Sequence, residues 1–258
     1  MNGSHLAYAD MDLIRDAALS ATNENASFPI ERVQVDDYES PSNPFKATTT
    51  ASVITITFDD DETPDCLVII NHNLEGATVT LANGAGFSQA VAIPDRTRDG
   101  LCVNVFFDMR TFANRLDDVW TLTITGAAGN IAIGRLVMIA TGGLQPVPWL
   151  VRTPTYRPDR LSNSLRTHAG TELIHDKGIR IRHASGQTVD EDDRAVQEVA
   201  WDAARGRALP FLFVPDTDVN DAWWVRFDGP PEWSYTTLEI APTSMAVTEL
   251  SMGPHLYV

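Results

Sequence analysis

Cysteines are scarce in this chain, and long apolar runs are missing. The two cysteines, Cys66 and Cys102, are far fewer than a secreted disulfide scaffold carries. Both lie in apolar, strand-like segments, so buried free thiols are the simplest expectation, and one disulfide stays open if the two strands are neighbours. No apolar stretch approaches the roughly 20 residues of a membrane span. The first ten residues have neither a basic start nor an apolar run, so we expect no secretory signal there.

Basic residues are also few. The chain has 19 Lys and Arg against 35 Asp and Glu, and its net charge is −16. Such a chain is repelled by a phosphate backbone or an anionic membrane surface, so we expect no nucleic-acid partner. Much of the basic charge falls between residues 149 and 186. A basic band on an acidic protein favours contacts between subunits.

Motifs for catalysis, phosphate binding and metal binding are missing. The glycines at 84–86 and 126–129 open no helix, as a phosphate cradle requires. His168, His175 and His183 are 7 and 8 residues apart, a spacing that favours unrelated histidines over a metal cluster. The acidic run 59–62 lacks the spacing and glycine of a calcium loop, so a solvated turn is favoured. We therefore expect no enzyme activity, no cofactor and no metal site.

What is present is a series of short strands. After an irregular first 50 residues, apolar and polar residues alternate at 53–58, so that Ile54, Ile56 and Phe58 share one face. The apolar run 67–70 indicates a strand covered on both faces, and His72 is expected in the loop that follows. Further strands are predicted at 77–81, 101–107, 120–125 and 131–139, the last two joined as a hairpin. This pattern predicts an antiparallel, jelly-roll-like β-sandwich over residues 1–143.

The second predicted domain, residues 144–258, is smaller and β-rich, with one α-helix at about 189–205. Thr188 and Glu191 have capping-box spacing, and Arg205 with Gly206 marks the other end. Val196, Val199, Ala200 and Ala203 are expected on the buried face of this helix. A strand is predicted at 178–182, and strands predicted at 209–214, 223–227 and 235–240 supply the flat surface on which the helix packs. The fold class is therefore mainly β.

Aromatic and basic residues of the second half are the candidates for an interface. Trp223 and Trp224 are adjacent on one strand and point to opposite faces, so one is expected in the core and the other against a neighbouring subunit. A sugar-binding platform made by these tryptophans and Trp233 is the less favoured alternative. The candidate interface residues are Trp149, Arg152, Arg157, Arg160, Trp223, Trp224 and Trp233.

Several segments resemble known proteins. The N-terminal part resembles the galactose-binding, discoidin-like domains in minor tail and baseplate proteins of siphophages. Sugar-binding members of that superfamily carry loop aromatics and arginines for a ligand, and the sequence does not show which residues would serve here. The stretch 201–215 resembles phage tail-tip proteins, in which a helix ending in Arg-Gly leads into an apolar strand. The matching N-terminal segments are 43–45, 54–58, 68–74, 120–124 and 131–136.

The resemblance implies a structural component of a bacteriophage tail tip or baseplate that connects the tail tube or hub to fibres. It further implies assembly into a ring with tail proteins as partners, synthesis in the host cytoplasm and final location in the virion. The alternative is a carbohydrate-binding module that recognises host surface polysaccharide through loops at one end of the sandwich. A glycan hydrolase is a third and less favoured hypothesis, which would need two carboxylates about 5–9.5 Å apart in a groove.

Overall fold

The computed structural model describes residues 4–34, 44–93, 104–147, 159–166, 172–181, 183–188, 198–206, 208–216, 221–227, 229–230, 232–233 and 243–249. Side chains are described in this set except at residues 4, 147, 159–166, 172–181, 183–188, 215–216, 221, 232–233, 243–246 and 248–249. The fold is mainly β, as predicted. The strands are β1 Ser4–Tyr8, β2 Ala18–Ala21, β3 Phe45–Lys46, β4 Ser52–Glu62, β5 Cys66–His72, β6 Thr78–Asn83, β7 Ser88–Ala92, β8 Val105–Asp108, β9 Asp117–Thr125, β10 Ala132–Ile139, β11 Gln145–Val147, β12 Asp159–Arg166, β13 Glu172–Ile181, β14 His183–Thr188, β15 Phe211–Asp216, β16 Asp221–Phe227, β17 Glu232–Trp233 and β18 Thr243–Glu249.

These strands form three stacked sheets and a separate pair, β12 with β13. The outer sheet has the order β2-β4-β9-β6-β7, and the central sheet has the order β3-β10-β5-β8. The aromatic sheet, named for its content of Trp and Phe, has the order β11-β1-β15-β16-β18-β14, with β17 beside β18. All pairings are antiparallel.

The predicted alternation of the sandwich is confirmed. Ile54, Ile56 and Phe58 of β4 all point into the core between the outer and central sheets, while the threonines between them are partly exposed. β5 is buried along its whole length, as predicted for the apolar run. Leu67 and Ile69 face the outer sheet, and Val68 and Ile70 belong to a second core shared with the aromatic sheet. The central sheet is therefore the middle layer of the molecule.

Several local predictions were wrong. The turn 126–130 is not a hairpin, because β9 lies in the outer sheet and β10 in the central sheet, so the chain crosses the core between them. The acidic run 59–62 is not a turn either: β4 continues to Glu62, with a register shift after Thr57. The first 50 residues contain three strands and short 3-10 turns at Ala9–Met11, Leu13–Arg15 and Ile30–Gln34. The predicted strand 235–240 lies outside the described residues.

The N-terminal strand joins the layer formed by the second half of the chain. β1 pairs with β15, with His5 opposite Val214 and Tyr8 opposite Phe211, and with β11 on its other side. The aromatic sheet thus contains residues from both sides of position 143. Division of the chain into domains at that position stays a prediction.

The helix, here called α1, is described over 198–203 and covers the far face of the aromatic sheet. Its end is as predicted: Arg205 and Gly206 both have positive φ, at 49° and 71°, and the Gly206 N–H donates to the Trp201 carbonyl. The predicted buried face was wrong in part. Ala200 and Ala204 are buried and pack with Trp201 against the sheet, whereas Val199 is 60% exposed. Small residues bring the helix close to large aromatic rings. Val196 lies outside the described residues.

Candidate functional site

One end of the sandwich gathers four loops. Strand registers place Glu62 opposite Asp117, Cys66 opposite Asp108 and Ala82 opposite Ser88. The connections 63–65, 84–87, 109–116 and 140–144 therefore meet at this end, which we call the loop end. Loops at one end of a rigid sandwich are free to vary and are common binding sites.

An exposed aromatic ring stands on the longest of these loops. Phe112 lies between β8 and β9 and is 39% exposed, one of four large apolar residues that reach the surface in the described part of the chain. The loop is anchored by Met109, which is fully buried and accepts a hydrogen bond from the Phe112 N–H at 3.0 Å. Leu116, on the same loop, is 55% exposed. The loop therefore exposes two large apolar side chains among polar and charged residues.

The Phe112 ring is held by contacts that lead into the core. Its centroid lies 5.0 Å from that of Phe87, with the planes at 80°, the edge-to-face geometry that aromatic quadrupoles favour. Phe87 is buried and in turn lies 5.3 Å from Trp120 at the centre of the outer sheet. The ring is thus exposed yet braced, which lowers the entropy lost when a ligand packs against it.

Polar side chains fix the turns around the ring. Asn83 donates to the Asn114 carbonyl at 2.9 Å and accepts from the Phe87 N–H at 2.8 Å, so it joins the 84–87 turn to the Phe112 loop. Asp117 accepts from the N–H groups of Val119 and Ala85. The Val119 N–H, the Ala85 N–H and the other donors around it lower the pKa of Asp117, although slight burial opposes this shift. Asn114 and Asp118 are exposed at the rim.

Two arginines of the same loop are held by carboxylates. Arg110 makes two parallel contacts with Asp108, Nε to Oδ1 at 3.0 Å and Nη2 to Oδ2 at 2.8 Å. Arg115 donates to Asp65 at 2.9 Å and to the Pro64 carbonyl at 3.0 Å. Asp65 also accepts from the Gly142 N–H. These pairs stiffen the loop end and neutralise its positive charge.

A shallow pocket of about 260 Å³ lies nearby, against the N-terminal 3-10 turns. Its floor includes Asp12, which is 5% exposed and accepts from Arg135 Nη2 at 3.0 Å and from the N–H groups of Met138 and Ile14. Burial raises the pKa of Asp12, and Arg135 opposes this shift. The described residues contain no group of three His, Cys, Asp or Glu that could hold a metal ion. The other lining residues are Asp10, Met11, Leu13, Asp16, Phe58, Asp59, Asp60, Glu62 and Ala140.

The two adjacent tryptophans are both buried within the chain. Trp223 packs beneath α1, and Trp224 points to the opposite face, between the aromatic and central sheets. The opposite orientation was predicted, but the expectation that one ring faces a neighbouring subunit was wrong: they are 0% and 3% exposed. The Arg135 guanidinium carbon lies 4.8 Å from the Trp224 ring centroid. Trp224 therefore contributes to the packing between the central and aromatic sheets.

The remaining interface candidates are less fully described. Trp149, Arg152 and Arg157 lie outside the described residues. Arg160 is in β12 and Trp233 is in β17; their side chains are not among those described. An interface made by these residues stays a prediction.

The histidines and cysteines occupy separate places. His175 is in β13 and His183 is in β14, strands of different sheets, and His168 is outside the described residues. His72, expected in a loop, ends β5 and is buried, with its Nδ1 accepting from the Leu74 N–H. Cys66 is a buried free thiol whose pKa is raised by burial. Cys102 is outside the described residues.

Phe112 was not among the residues singled out from the sequence. It stands in a polar, charged stretch, 108–118, where nothing in the apolar periodicity marks it. The one available signal is a lone aromatic flanked by small and charged residues between two predicted strands. Phenylalanine is most often packed inward, so the pattern does not reveal the exposed, braced ring.

Comparison with known proteins gives distant structural likenesses. Neither a protein-family model nor a curated protein sequence matches the chain.

No helix among the described residues is long and apolar enough to cross a membrane.

Solved structures match about half of the chain. They include the lectin domain of lectinolysin complexed with Lewis B antigen (10% identity, 51% of this chain and 97% of that one, TM-score 0.41) and a fucose-binding module of Streptococcus pneumoniae (8% identity, 50% and 97%, TM-score 0.40). Another is described as an α-L-fucosidase from Bacteroides thetaiotaomicron (16% identity, TM-score 0.40), where the match spans 54% of this chain and 30% of that one. The mainly β fold described above rests on the strand pairings of this chain itself.

Proposed function

We propose that this protein is a carbohydrate-binding module whose binding face is the Phe112 loop end. The observation that carries the proposal is the exposed ring of Phe112, braced edge-on by Phe87 and set among loops joined by hydrogen bonds. The apolar C–H face of a sugar ring packs well on an aromatic face, and polar loop groups nearby can meet its hydroxyls.

The loop end also suits binding without large rearrangement. Asn83 and Asp117 hold the 84–87 turn against the Phe112 loop, and Asp65 holds Arg115 and Gly142. A site fixed before the ligand arrives loses less conformational entropy on binding. The exposed amide of Asn114 lies at the same rim as the ring and can offer both a donor and an acceptor.

The test is a glycan array probed with the full chain, followed by titration calorimetry with the best ligand. We expect Phe112→Ala to weaken binding by about tenfold or more, which corresponds to about 1.4 kcal/mol, and Phe112→Trp to retain it. The control is Val199→Ala, which truncates an exposed apolar side chain on α1, 60% exposed against 39% for Phe112. A ligand that binds Phe112→Ala as tightly as the native chain would exclude this face.

We propose further that the bound glycan is not turned over. The sequence contains no recognisable catalytic motif, which supports this part of the proposal. Incubation of the chain with its array ligand should leave the ligand intact by mass spectrometry. Release of shorter sugars, lost on replacing one defined carboxylate pair, would favour the hydrolase instead.

The second candidate is a structural component of a bacteriophage tail tip, located in the virion. The observation that favours it is the uneven charge: the segment 149–186 is basic, while the chain as a whole carries −16. Such segregation suits contacts between subunits in a ring or with tail-tube, hub and fibre proteins. Cryo-electron imaging of virions that carry a labelled copy tests it, and a label absent from the tail would contradict it.

A further inference from the structure

We infer that the Phe112 loop end selects uncharged or amine-bearing glycans and disfavours carboxylated or sulfated ones. This inference rests on the proposed function and narrows its ligand class. It is carried by the charge pairing at the loop end: both arginines of the loop are neutralised from within the chain, while carboxylates stand at the rim.

Arg110 lies two residues from Phe112 on the same loop and carries one of the two positive charges of that loop. Its Nε and Nη2 atoms are engaged side by side by the two oxygens of Asp108, an arrangement that neutralises this charge within the chain. Partial burial would raise the pKa of Asp108, but the hydrogen bonds from the Arg110 side chain and N–H outweigh it and hold the pKa below its ordinary value. The same pairing raises the pKa of Arg110.

Arg115, at the other end of the loop, is engaged through Nη1 alone in its described hydrogen bonds. It contacts Asp65 and the Pro64 carbonyl, and the Asp65 side chain is 7% exposed. Recruiting Arg115 to a ligand would leave Asp65 without this ion pair, and a nearly buried carboxylate that loses its cation is costly. Neither arginine is therefore available to an anion at low cost.

The carboxylates of the rim are not neutralised in this way. Asp117 is partly exposed, and neither a lysine nor an arginine is among its described hydrogen-bond partners. Asp118 beside it is exposed, and Glu62 is opposite Asp117 in the strand register. Along this strand pair the three carboxylates are close to one another, within a Debye length, which is about 10 Å at 0.1 M salt. An anionic ligand would approach a negative surface.

The experiment compares two matched ligands on the full chain by titration calorimetry. One is an uncharged oligosaccharide identified on the array, and the other is the same oligosaccharide with one residue oxidised to its uronic acid. We expect the uronate to bind at least about tenfold more weakly at low salt, with the gap narrowing as salt screens the carboxylates. Equal or tighter binding of the uronate at low salt would overturn the inference.

One substitution should shift the preference from the uncharged ligand towards the uronate. Asp108→Asn removes the charge that holds Arg110, so binding of the uronate should rise severalfold relative to binding of the uncharged ligand. Asp202→Asn, an exposed site on α1, changes the net charge equally and should leave the ratio unchanged. An unchanged ratio in a folded Asp108→Asn variant would count against the role of Arg110. If the proposed function itself is wrong, the outcome differs: either neither ligand binds, or the Phe112→Ala variant binds both ligands as tightly as the native chain does.

Discussion

The two faces of the central sheet pack against layers of different composition. Towards the outer sheet lies one large core built mainly from aliphatic side chains, such as Ile54, Ile69 and Leu122. Towards the aromatic sheet lies a smaller core that includes Trp224 and Phe106, and beyond it the rings of the aromatic sheet meet the alanines of α1. Both cores are mainly aliphatic, and the large rings are concentrated beneath α1, where Phe211, Phe213, Trp223 and Phe227 lie.

Directional contacts supplement apolar packing at the second interface. The Asn104 side chain donates to the Ala222 carbonyl at 2.8 Å and accepts from the Asn71 N–H, and Arg135 lies against Trp224 while it pairs with Asp12. Buried polar groups of this kind fix how two layers are placed relative to each other, at the cost of a penalty if one partner is lost. The aromatic layer is thus positioned by specific contacts, and the sandwich core by shape and area.

The largest effect is expected from Asp12→Asn. This change leaves the buried Arg135 guanidinium without its carboxylate, and loss of one partner of a buried ion pair costs about 3–5 kcal/mol. Urea unfolding should show this drop, and the double variant with Arg135→Met should recover much of it because no lone charge remains. Asp16→Asn, an exposed site on the same segment, should change the unfolding free energy little. An equally small effect of Asp12→Asn would show that the pair does not anchor the layers.

Substitutions at two neighbouring residues of β5 allow the two cores to be compared directly. Ile69 points into the sandwich core and Ile70 into the core shared with the aromatic sheet, both essentially fully buried. Ile69→Ala and Ile70→Ala should each lower the unfolding free energy by about 2–5 kcal/mol. We expect one cooperative transition in both variants. Two separated transitions in Ile70→Ala alone would show that the aromatic layer unfolds independently.

The smallest effect concerns pH. Because the folded pKa of Asp108 is depressed, its ion pair stabilises the protein above the ordinary aspartate pKa of about 3.9 and is lost as pH falls through the lower folded pKa. The pair is partly exposed, so we expect roughly 1 kcal/mol or less. Unfolding curves between about pH 2 and 6 should be less steep with pH in Asp108→Asn than in the native chain. Identical slopes would contradict this assignment.

The strands of the sandwich were predictable because their pattern is local. Alternation identified β4, and an uninterrupted apolar run identified β5 as the doubly covered strand. The end of α1 was predictable for the same reason, since Arg205 and Gly206 take the left-handed conformation that stops a helix. Each of these features is set by residues close together in the sequence.

The features that escaped prediction depend on distant parts of the chain. The pairing of β1 with β15 joins segments more than 200 residues apart, which no local period records. The buried face of α1 turned towards Ala200 and Ala204 because the aromatic sheet beneath it leaves room for little else. The candidate site depends on Phe87 bracing Phe112 from another loop, so the sequence alone showed the residue but not its role.

The most direct test of the proposed function is a crystal structure of the chain with the best array ligand. We expect a sugar ring stacked on Phe112, with polar contacts to the rim at Asn114 and no ion pair to Arg110 or Arg115. A sugar bound elsewhere, for example in the pocket beside Asp12, would contradict it.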